Sequence, residues 1–424
     1  MLGRKKILAY SDSASVFTGF GVVSKYILTA LYNTGKYDIS QYAVNYPVNF
    51  NTLSNVPWTQ IPAKLYDSND VYGKKGFLRV LAEGDFDFVW IVNDLHIASS
   101  IAPFLKKTLE AMEANGKKVP KIIYYYPVDC HVRKDSVAML ELADTPVAYT
   151  KYGMSETLKR LPHFRSKLKQ IYHGVNTDVY KPFKEDEKQR LKKKYLGDDS
   201  DKFVFLSVNR NIDRKQISRT ILAFKKFLDR VPDSVLLLHT MPIDKNLDRV
   251  VDLTVCLEDL GLTMNKDVFF PNGYNLSNGW PEKMLNEIYN ISDCFITTHL
   301  GEGFGLTIAE AMAAGIPVIV PDNTNMSELV GEDQKRGYMY DCEDYIYIDN
   351  AGYRPFGSLG NILGKMIEMH QVKDNSSKVL AAREWAEENS WNTICRQWID
   401  LFEELSGEKE AIAVPDEGIK GLVI

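Results

Sequence analysis

HLGEGFGLTIAEAMAAGIPVIVPD, residues 299–322, decides how this chain is read. A β-rich run from Asp293 to Thr298 leads into the glycine loop Gly301-Glu302-Gly303-Phe304-Gly305, which opens directly into a helical pattern that begins at Leu306 and carries Glu310. The first turn of a helix has unpaired N–H groups and the positive end of the macrodipole, and glycine lets the backbone approach a phosphate closely. Gly303 and Gly305 therefore suit a diphosphate. Glu302 and Glu310, eight positions apart, suit hydroxyl-rich groups on either side of it.

Working outward, short β-branched and aromatic runs alternate with helix-length amphipathic segments twice over, the pattern of two parallel sheets built from βαβ units. Strands are predicted at Ile7–Tyr10, Tyr37–Val44, Phe88–Val92, Lys121–Tyr126, Pro146–Tyr149 and Gln170–Tyr172 in the first half. In the second half they are predicted at Phe203–Val208, Ser234–His239, Val268–Phe270, Cys294–Thr298 and Pro317–Val320. Between the halves, KPFKEDEKQRLKKKYLGDDSD is charged and has no strand signal, so it reads as a linker and the helix that begins a second domain. The 424 residues suffice for two domains with separate cores.

A hydrophobic fraction of 45% with 25% charged residues is that of a soluble globular chain. The N-terminal apolar run is too short for a signal peptide and no stretch is long enough to span a bilayer, so a cytoplasmic protein is expected. Five cysteines without a CxxC pair imply neither a disulfide framework nor a zinc site. Net charge is asymmetric, +6 over residues 1–180 and −11 over 181–424, with the basic excess concentrated in 103–170.

Ligands of open α/β sheets bind outside the carboxyl ends of the strands. By that rule Thr18-Gly19-Phe20-Gly21, Asp94 and His96, Asp129 and His131, Arg210 and Lys215, Asn272-Gly273-Tyr274 and the Glu302 loop can all line a site. Asp85-Phe86-Asp87 precedes its strand and is rejected as a sugar-nucleotide metal motif.

The stretch from Glu302 to Ile319 resembles the signature EGFGLxxxEAMAxGxPVI of the retaining glycosyltransferases of family 4, with Thr307-Ile308-Ala309 in the variable positions. FLSVNRNIDRKQISRTILAF, 205–224, is similar to that family's VGRxxxxKG segment, with Arg210 and Lys215 as the basic pair, Asn209 in place of the first glycine and Gln216 in place of the second. HGVNTDVYKP, 173–182, resembles the hinge-side NGVDxxxFxP.

The resemblance spans roughly residues 1–405 and implies the α/β GT-B architecture, two Rossmann-like domains facing across a cleft. It implies an acceptor-side domain at 1–180, a nucleotide-sugar domain at 181–385, a helix at 386–405 that crosses back, with Trp385, Trp391 and Trp398 as the aromatic anchors of the last helical segments, and a tail at 406–424. It also implies a nucleotide-diphosphate sugar as co-substrate, with no cofactor and no metal. Glu302 would hold donor-sugar hydroxyls and Glu310 the ribose. Arg210 and Lys215 would hold the diphosphate, because fixed cations stabilise a leaving phosphate without a metal.

Gly303, Phe304, Gly305 and Leu306 would contact the donor phosphates, with Gly19, Gly21, Asn272 and Tyr274 also on the donor side. Asp129 or His131 would face the donor sugar, and Asp94, His96, Arg133 and Lys134 the acceptor. The basic excess, including Lys151, Lys159, Arg160, Arg165, Lys167 and Lys169, favours a polyanionic acceptor, either a modified base in DNA or a lipid at an anionic membrane, with DNA favoured. Rival readings are a sugar-nucleotide epimerase or hydrolase and a non-catalytic sugar-nucleotide binder. A NAD-dependent dehydrogenase is disfavoured by the lack of GxGxxG after a strand.

Overall fold

The computed structural model describes residues 3–46, 56–243, 251–271, 279–348 and 352–407. The chain divides into two compact units. One holds residues up to Val128, Val132–Gly174 and the chain from Asn389; the other holds Val175–Glu388 together with Asp129–His131. The boundary falls inside HGVNTDVYKP, between Gly174 and Val175, whereas the sequence reading set it at 180.

The first unit is a parallel sheet of β1 (Lys5–Asp12), β2 (Tyr37–Val44), β3 (Thr59–Pro62), β4 (Phe88–Val92), β5 (Lys121–Tyr126), β6 (Thr145–Ala148) and β7 (Lys169–Gln170), in the order β3-β2-β1-β4-β5-β6-β7. The second has β8 (Phe203–Val208), β9 (Ser234–His239), β10 (Val268–Phe269), β11 (Cys294–Ile296), β12 (Val318–Pro321) and β13 (Tyr338–Tyr340), in the order β10-β9-β8-β11-β12-β13. An antiparallel hairpin follows, β14 (Asp344–Ile348) with β15 (Gly352–Phe356). In both sheets the order reverses beside the first strand, at β1/β4 and at β8/β11, which makes the carboxyl ends of those strands the expected ligand positions.

Strands covered on both faces read as continuous apolar runs. β4, FVWIV, is buried throughout, and β9, SVLLLH, likewise. The sequence missed β3, a polar four-residue edge strand ending in Pro62, and β13, which is three residues long. It also missed the hairpin, whose alternation turns tyrosines outward and so carries little apolar contrast.

The helix Trp391–Ser406 belongs to the first unit. Trp391 stacks on Tyr26 at 4.6 Å between ring centroids, and Trp398 meets Trp90 at 5.8 Å and Tyr125 at 4.7 Å, both edge to face. Phe402 packs against Tyr37 and Phe88. Buried aromatic contacts of this kind cost about 3–5 kcal/mol when truncated to alanine. Gly174 is required here, because a Cβ would lie 2.6 Å from Trp391 Cα. Beneath the helix His173 is buried against Tyr125, Oη to Nδ1 2.7 Å, and burial pushes its pKa down to about 3.

None of the five cysteines is in a disulfide, and no described helix is long and apolar enough to cross a membrane. The Asp85 and Asp87 carboxylates lie at the amino end of β4 on lysines: Lys118 Nζ is 2.6 Å from Asp87 and Lys6 Nζ 3.5 Å from Asp85.

Candidate functional site

In the second unit the loop after β8 and the loop after β11 are laced together. Leu300 donates its N–H to Arg214 O at 2.8 Å, and Thr298 Oγ1 donates to Gln216 O at 2.8 Å. Gln216, standing where the family pattern has glycine, adopts the left-handed conformation (φ 51°, ψ 41°) that glycine takes without steric cost. Its Nε2 donates back to Asp213 O at 2.7 Å, so the glycine turn is kept without the glycine. The lacing brings Lys215 and Arg214 onto the glycine loop.

Lys215 Nζ is in direct contact with Glu302 Oε1, and Arg214 Nη1 lies 3.3 Å from Oε2 while also donating to Gly301 O. Arg214 Nε reaches Asp129 Oδ2 at 3.2 Å. From the hairpin, Arg354 donates to Asp129 O at 2.6 Å and approaches Oδ1 at 3.3 Å. Burial acts to raise the Glu302 pKa, but Lys215 and Arg214 outweigh it and hold the carboxyl well below the usual range. Burial likewise opposes ionisation of Asp129, and Arg214 and Arg354 keep it below the ordinary value. Burial depresses the Lys215 pKa against the pull of Glu302. The result is an ion cluster in which both carboxylates stay charged.

The glycine loop itself is shaped from both sides. His299 Nδ1 accepts from Gly301 N at 3.1 Å, Thr324 Oγ1 accepts from Glu302 N at 3.2 Å and Asn325 Nδ2 donates to Phe304 O at 2.6 Å. Gly305 takes φ 102° at the N-cap of the helix Leu306–Ala313 and leaves that helix start without a side-chain cap. Uncapped N–H groups are what an anion would engage. Glu310, on the same helix, accepts from Tyr289 Oη at 2.8 Å; burial raises its pKa to about 8 against that hydrogen bond, with Glu282 adding to the rise.

Lys215, Glu302 and Asp129 thus meet in one cluster, with Gly303, Phe304, Gly305, Leu306 and Glu310 on the adjoining loop and helix. Arg210 is exposed, and the guanidinium on Glu302 is that of Arg214, which the sequence reading passed over as an ordinary residue of the turn. Arg354 was missed as well; its only sequence signal is a lone arginine in an alternating segment. His131 and His96 are exposed, and Asn272 and Tyr274 lie outside the described residues.

Gly19, Gly21, Asp94, His96, Arg133 and Lys134 belong to the first unit. There Thr18 caps the helix Gly19–Asn33 by accepting from Gly21 N at 3.0 Å, and a Cβ on Gly21 would lie 2.4 Å from Val16 O. Asp94 stands at the start of the helix Leu95–Ala114. Part of the basic excess is neutralised locally: Arg133 pairs with Asp135, Lys159 with Glu156 and Lys169 with Glu404. Arg160 and Lys167 donate to backbone carbonyls. Lys151, Lys159 and Arg165 line one shallow pocket, and Arg133, Lys134 and Arg160 another.

Residues 188–348 match the model of the family described as glycosyl transferases group 1. That segment includes β8, the cation loop, the glycine loop and Glu310. Over 61% of this chain and 59% of the relative, the sequence is 28% identical to the GDP-mannose-dependent alpha-(1-6)-phosphatidylinositol monomannoside mannosyltransferase of Mycolicibacterium smegmatis. It is 26% identical to the alpha-monoglucosyldiacylglycerol synthase of Acholeplasma laidlawii, over 56% of this chain and 53% of that one. The chain therefore spans less than two thirds of the length of either relative. A glycosyltransferase from Rickettsia africae superposes with a TM-score of 0.70 at 15% identity, covering 96% of this chain and 100% of that chain. The fold is GT-B, and the segment that matches the group 1 glycosyl transferase model lies in the second unit.

Proposed function

We propose that the chain is a retaining glycosyltransferase that moves a hexosyl or pentosyl group from a nucleotide-diphosphate sugar to an acceptor hydroxyl. One observation carries the reading: Lys215 and Arg214 flank Glu302 at the β8/β11 switch point, beside the uncapped start of the helix Leu306–Ala313. In this scheme the bond between the anomeric carbon and the phosphate oxygen breaks, and Lys215 and Arg214 offset the negative charge that develops on the diphosphate. The acceptor oxygen attacks the face the diphosphate leaves, and its proton passes to a leaving phosphate oxygen. Glu302 holds sugar hydroxyls and Glu310 the ribose. No metal is needed for the charge balance, so turnover persists in EDTA; complete loss restored by Mg²⁺ or Mn²⁺ would refute that part.

The test is a screen of nucleotide sugars for protection against thermal unfolding, since a ligand at ~100 times its Kd adds about 2.7 kcal/mol. Protection by none of them removes the reading. An epimerase or hydrolase on this fold would release epimer, or free sugar and nucleotide, without acceptor, and a non-catalytic binder would be protected without turning over.

For the acceptor, the basic residues of the first unit support a hydroxyl on a polyanion. Two of the relatives carry a lipid in their names, which supports a lipid at an anionic membrane over modified bases in DNA, while another, the sucrose synthase 2 of Hordeum vulgare, does not. The lysines and arginines already paired within the unit reduce the field available for either. Binding to anionic vesicles that falls steeply with salt, without a matching DNA gel shift, is the expected result.

A further inference from the structure

The hairpin β14–β15 has two unlike faces. Its register sets Tyr345 opposite Pro355 and Tyr347 opposite Tyr353, while Ile346 opposes Arg354 and Asp344 opposes Phe356. Side chains alternate across a strand, so Tyr345, Tyr347, Tyr353 and Pro355 share one face and Arg354 and Phe356 the other. The Arg354 face is occupied: Arg354 is 3% exposed and grips Asp129, and the Arg219 guanidinium lies 4.7 Å over the Phe356 ring. Among the described residues the tyrosine face is exposed: Tyr345 64%, Tyr347 59% and Tyr353 64%. Tyr347 and Tyr353 brace each other edge to face at 5.3 Å.

Clustered exposed aromatics signal a binding surface, and charge selects among partners. Asp341 and Glu343 are exposed at the start of the hairpin, Asp344 stands on the Arg354 face, and the only basic residue among described positions 341–358 is the buried Arg354. A polyanion is repelled here. A neutral saccharide fits: its C–H faces lie on tyrosine rings, and its hydroxyls donate to carboxylates and exchange hydrogen bonds with phenols. A basic peptide would also suit the charge. The saccharide is favoured by what the hairpin's other face holds, because Arg354 grips Asp129, whose second partner Arg214 contacts Glu302, the carboxylate assigned to sugar hydroxyls.

We propose that the outer face of β14–β15 binds the neutral glycan portion of the acceptor, stacked on Tyr345, Tyr347 and Tyr353; this rests on the glycosyl-transfer reading. The experiment probes an array of neutral oligosaccharides, acidic oligosaccharides and Lys/Arg-rich peptides with the labelled full chain. Neutral oligosaccharides should bind, with little change from low to moderate salt. Tyr345→Ala and Tyr353→Ala should each weaken that binding by about 3- to 10-fold, the range of one aromatic contact. Because these side chains are exposed, the variants should melt with the wild type. No neutral glycan bound, binding confined to acidic glycans or basic peptides, or binding undiminished in the double variant each overturns the proposal. Thermal protection of the wild type by nucleotide sugars separates the two failures: protection without glycan binding sinks the platform alone, and no protection by any nucleotide sugar sinks the reading beneath it.

Discussion

The strand-end regions of the two units are built on the same strand order and hold opposite chemistry. Beyond β1 the chain gathers hydroxyls and amides around one carboxylate. Thr18 Oγ1 donates to Asp12 Oδ2 at 2.6 Å, Asn45 Nδ2 to Asp12 Oδ1 at 3.1 Å, Ser13 Oγ to Gln60 Oε1 at 2.6 Å and Gln60 Nε2 to Ser15 Oγ at 2.9 Å. Beyond β8 and β11 the chain gathers Lys215, Arg214 and Arg354 around Glu302 and Asp129. A network of hydroxyls tolerates neutral partners. A network of buried ions is preorganised for a group whose charge changes during reaction, and it is costly to open.

If that contrast is functional, removing a cation beyond β8 is the most damaging change. Lys215→Ala leaves Glu302 with only part of its compensation, and we expect turnover to fall on the order of 10²-fold or more. Unfolding free energy should drop by about 3–5 kcal/mol, as when one partner of a buried pair is removed. Arg214→Ala should impair turnover more than Arg210→Ala, because Arg214 is the guanidinium on Glu302. Steady-state kinetics of the three variants decide it: the reverse order restores Arg210 to the role its motif position suggests, and near-wild-type rates for Lys215→Ala break the comparison.

Beyond β1 the sensitivity is steric. Gly21→Ala would drive a Cβ to 2.4 Å from Val16 O and 2.8 Å from Ser13 O, both backbone atoms with little room to yield. A loss of about 1–3 kcal/mol is expected from overpacking of this kind, measured by urea unfolding. A change below the error of the measurement would mean that the turn can open.

These cases show what was legible in the sequence. The glycine loop opening into the helix that carries Glu310 could be read because a glycine turn followed by a helix leaves a linear signature in consecutive residues. Phe88–Val92, Lys121–Tyr126, Phe203–Val208 and Ser234–His239 could be read to the residue because strands buried on both faces are largely apolar runs, and Tyr37–Val44, YDISQYAV, was read to the residue despite its polar positions. Arg214 and Arg354 could not, since each owes its place to a partner some 85 to 225 positions away along the chain. The basic excess of 103–170 was visible as a count, and the neighbours Asp135 and Glu156 that neutralise part of it stand within two or three positions of Arg133 and Lys159, but the pairing of Lys169 with Glu404 exists only in three dimensions.

Glu310 sharpens the comparison through pH, since the groups that act on it, Tyr289 and Glu282 foremost, are not cations. Burial lifts its pKa to about 8 from an ordinary value of 4.5. Between those two values the folded chain keeps a proton that the unfolded chain has released, so stability falls as pH rises across that window and is level above it. Allowing for partial exposure, the change is on the order of 1–3 kcal/mol. Glu302 and Asp129 have depressed values and act with the opposite sign below the ordinary carboxylate range. His173, His239 and His299, pushed by burial down to about 3, 4 and 3, act with the opposite sign up to the ordinary histidine value of 6.5, so the Glu310 effect is read between 6.5 and about 8. Glu310→Gln should flatten the fall of melting temperature between pH 6.5 and about 8; an unchanged slope there would assign it to another group.

The smallest expected effect tests the turn that presents the cations. Gln216 holds φ 51° and ψ 41°, a conformation that costs a residue with a side chain roughly 1–2 kcal/mol relative to glycine. Gln216→Gly removes that strain but also loses the Nε2 bond to Asp213 O and gives the unfolded chain more freedom, worth about 0.5–1 kcal/mol in the other direction. The balance should be a gain of no more than about 0.5 kcal/mol in unfolding free energy, with turnover close to wild type because Lys215 and Arg214 keep their backbone positions. Gln216→Val exposes the same term from the other side: a β-branched residue resists the left-handed region more strongly, and both stability and turnover should fall. Equal stability for glycine, glutamine and valine at this position would show that the turn does not hold Lys215 on Glu302.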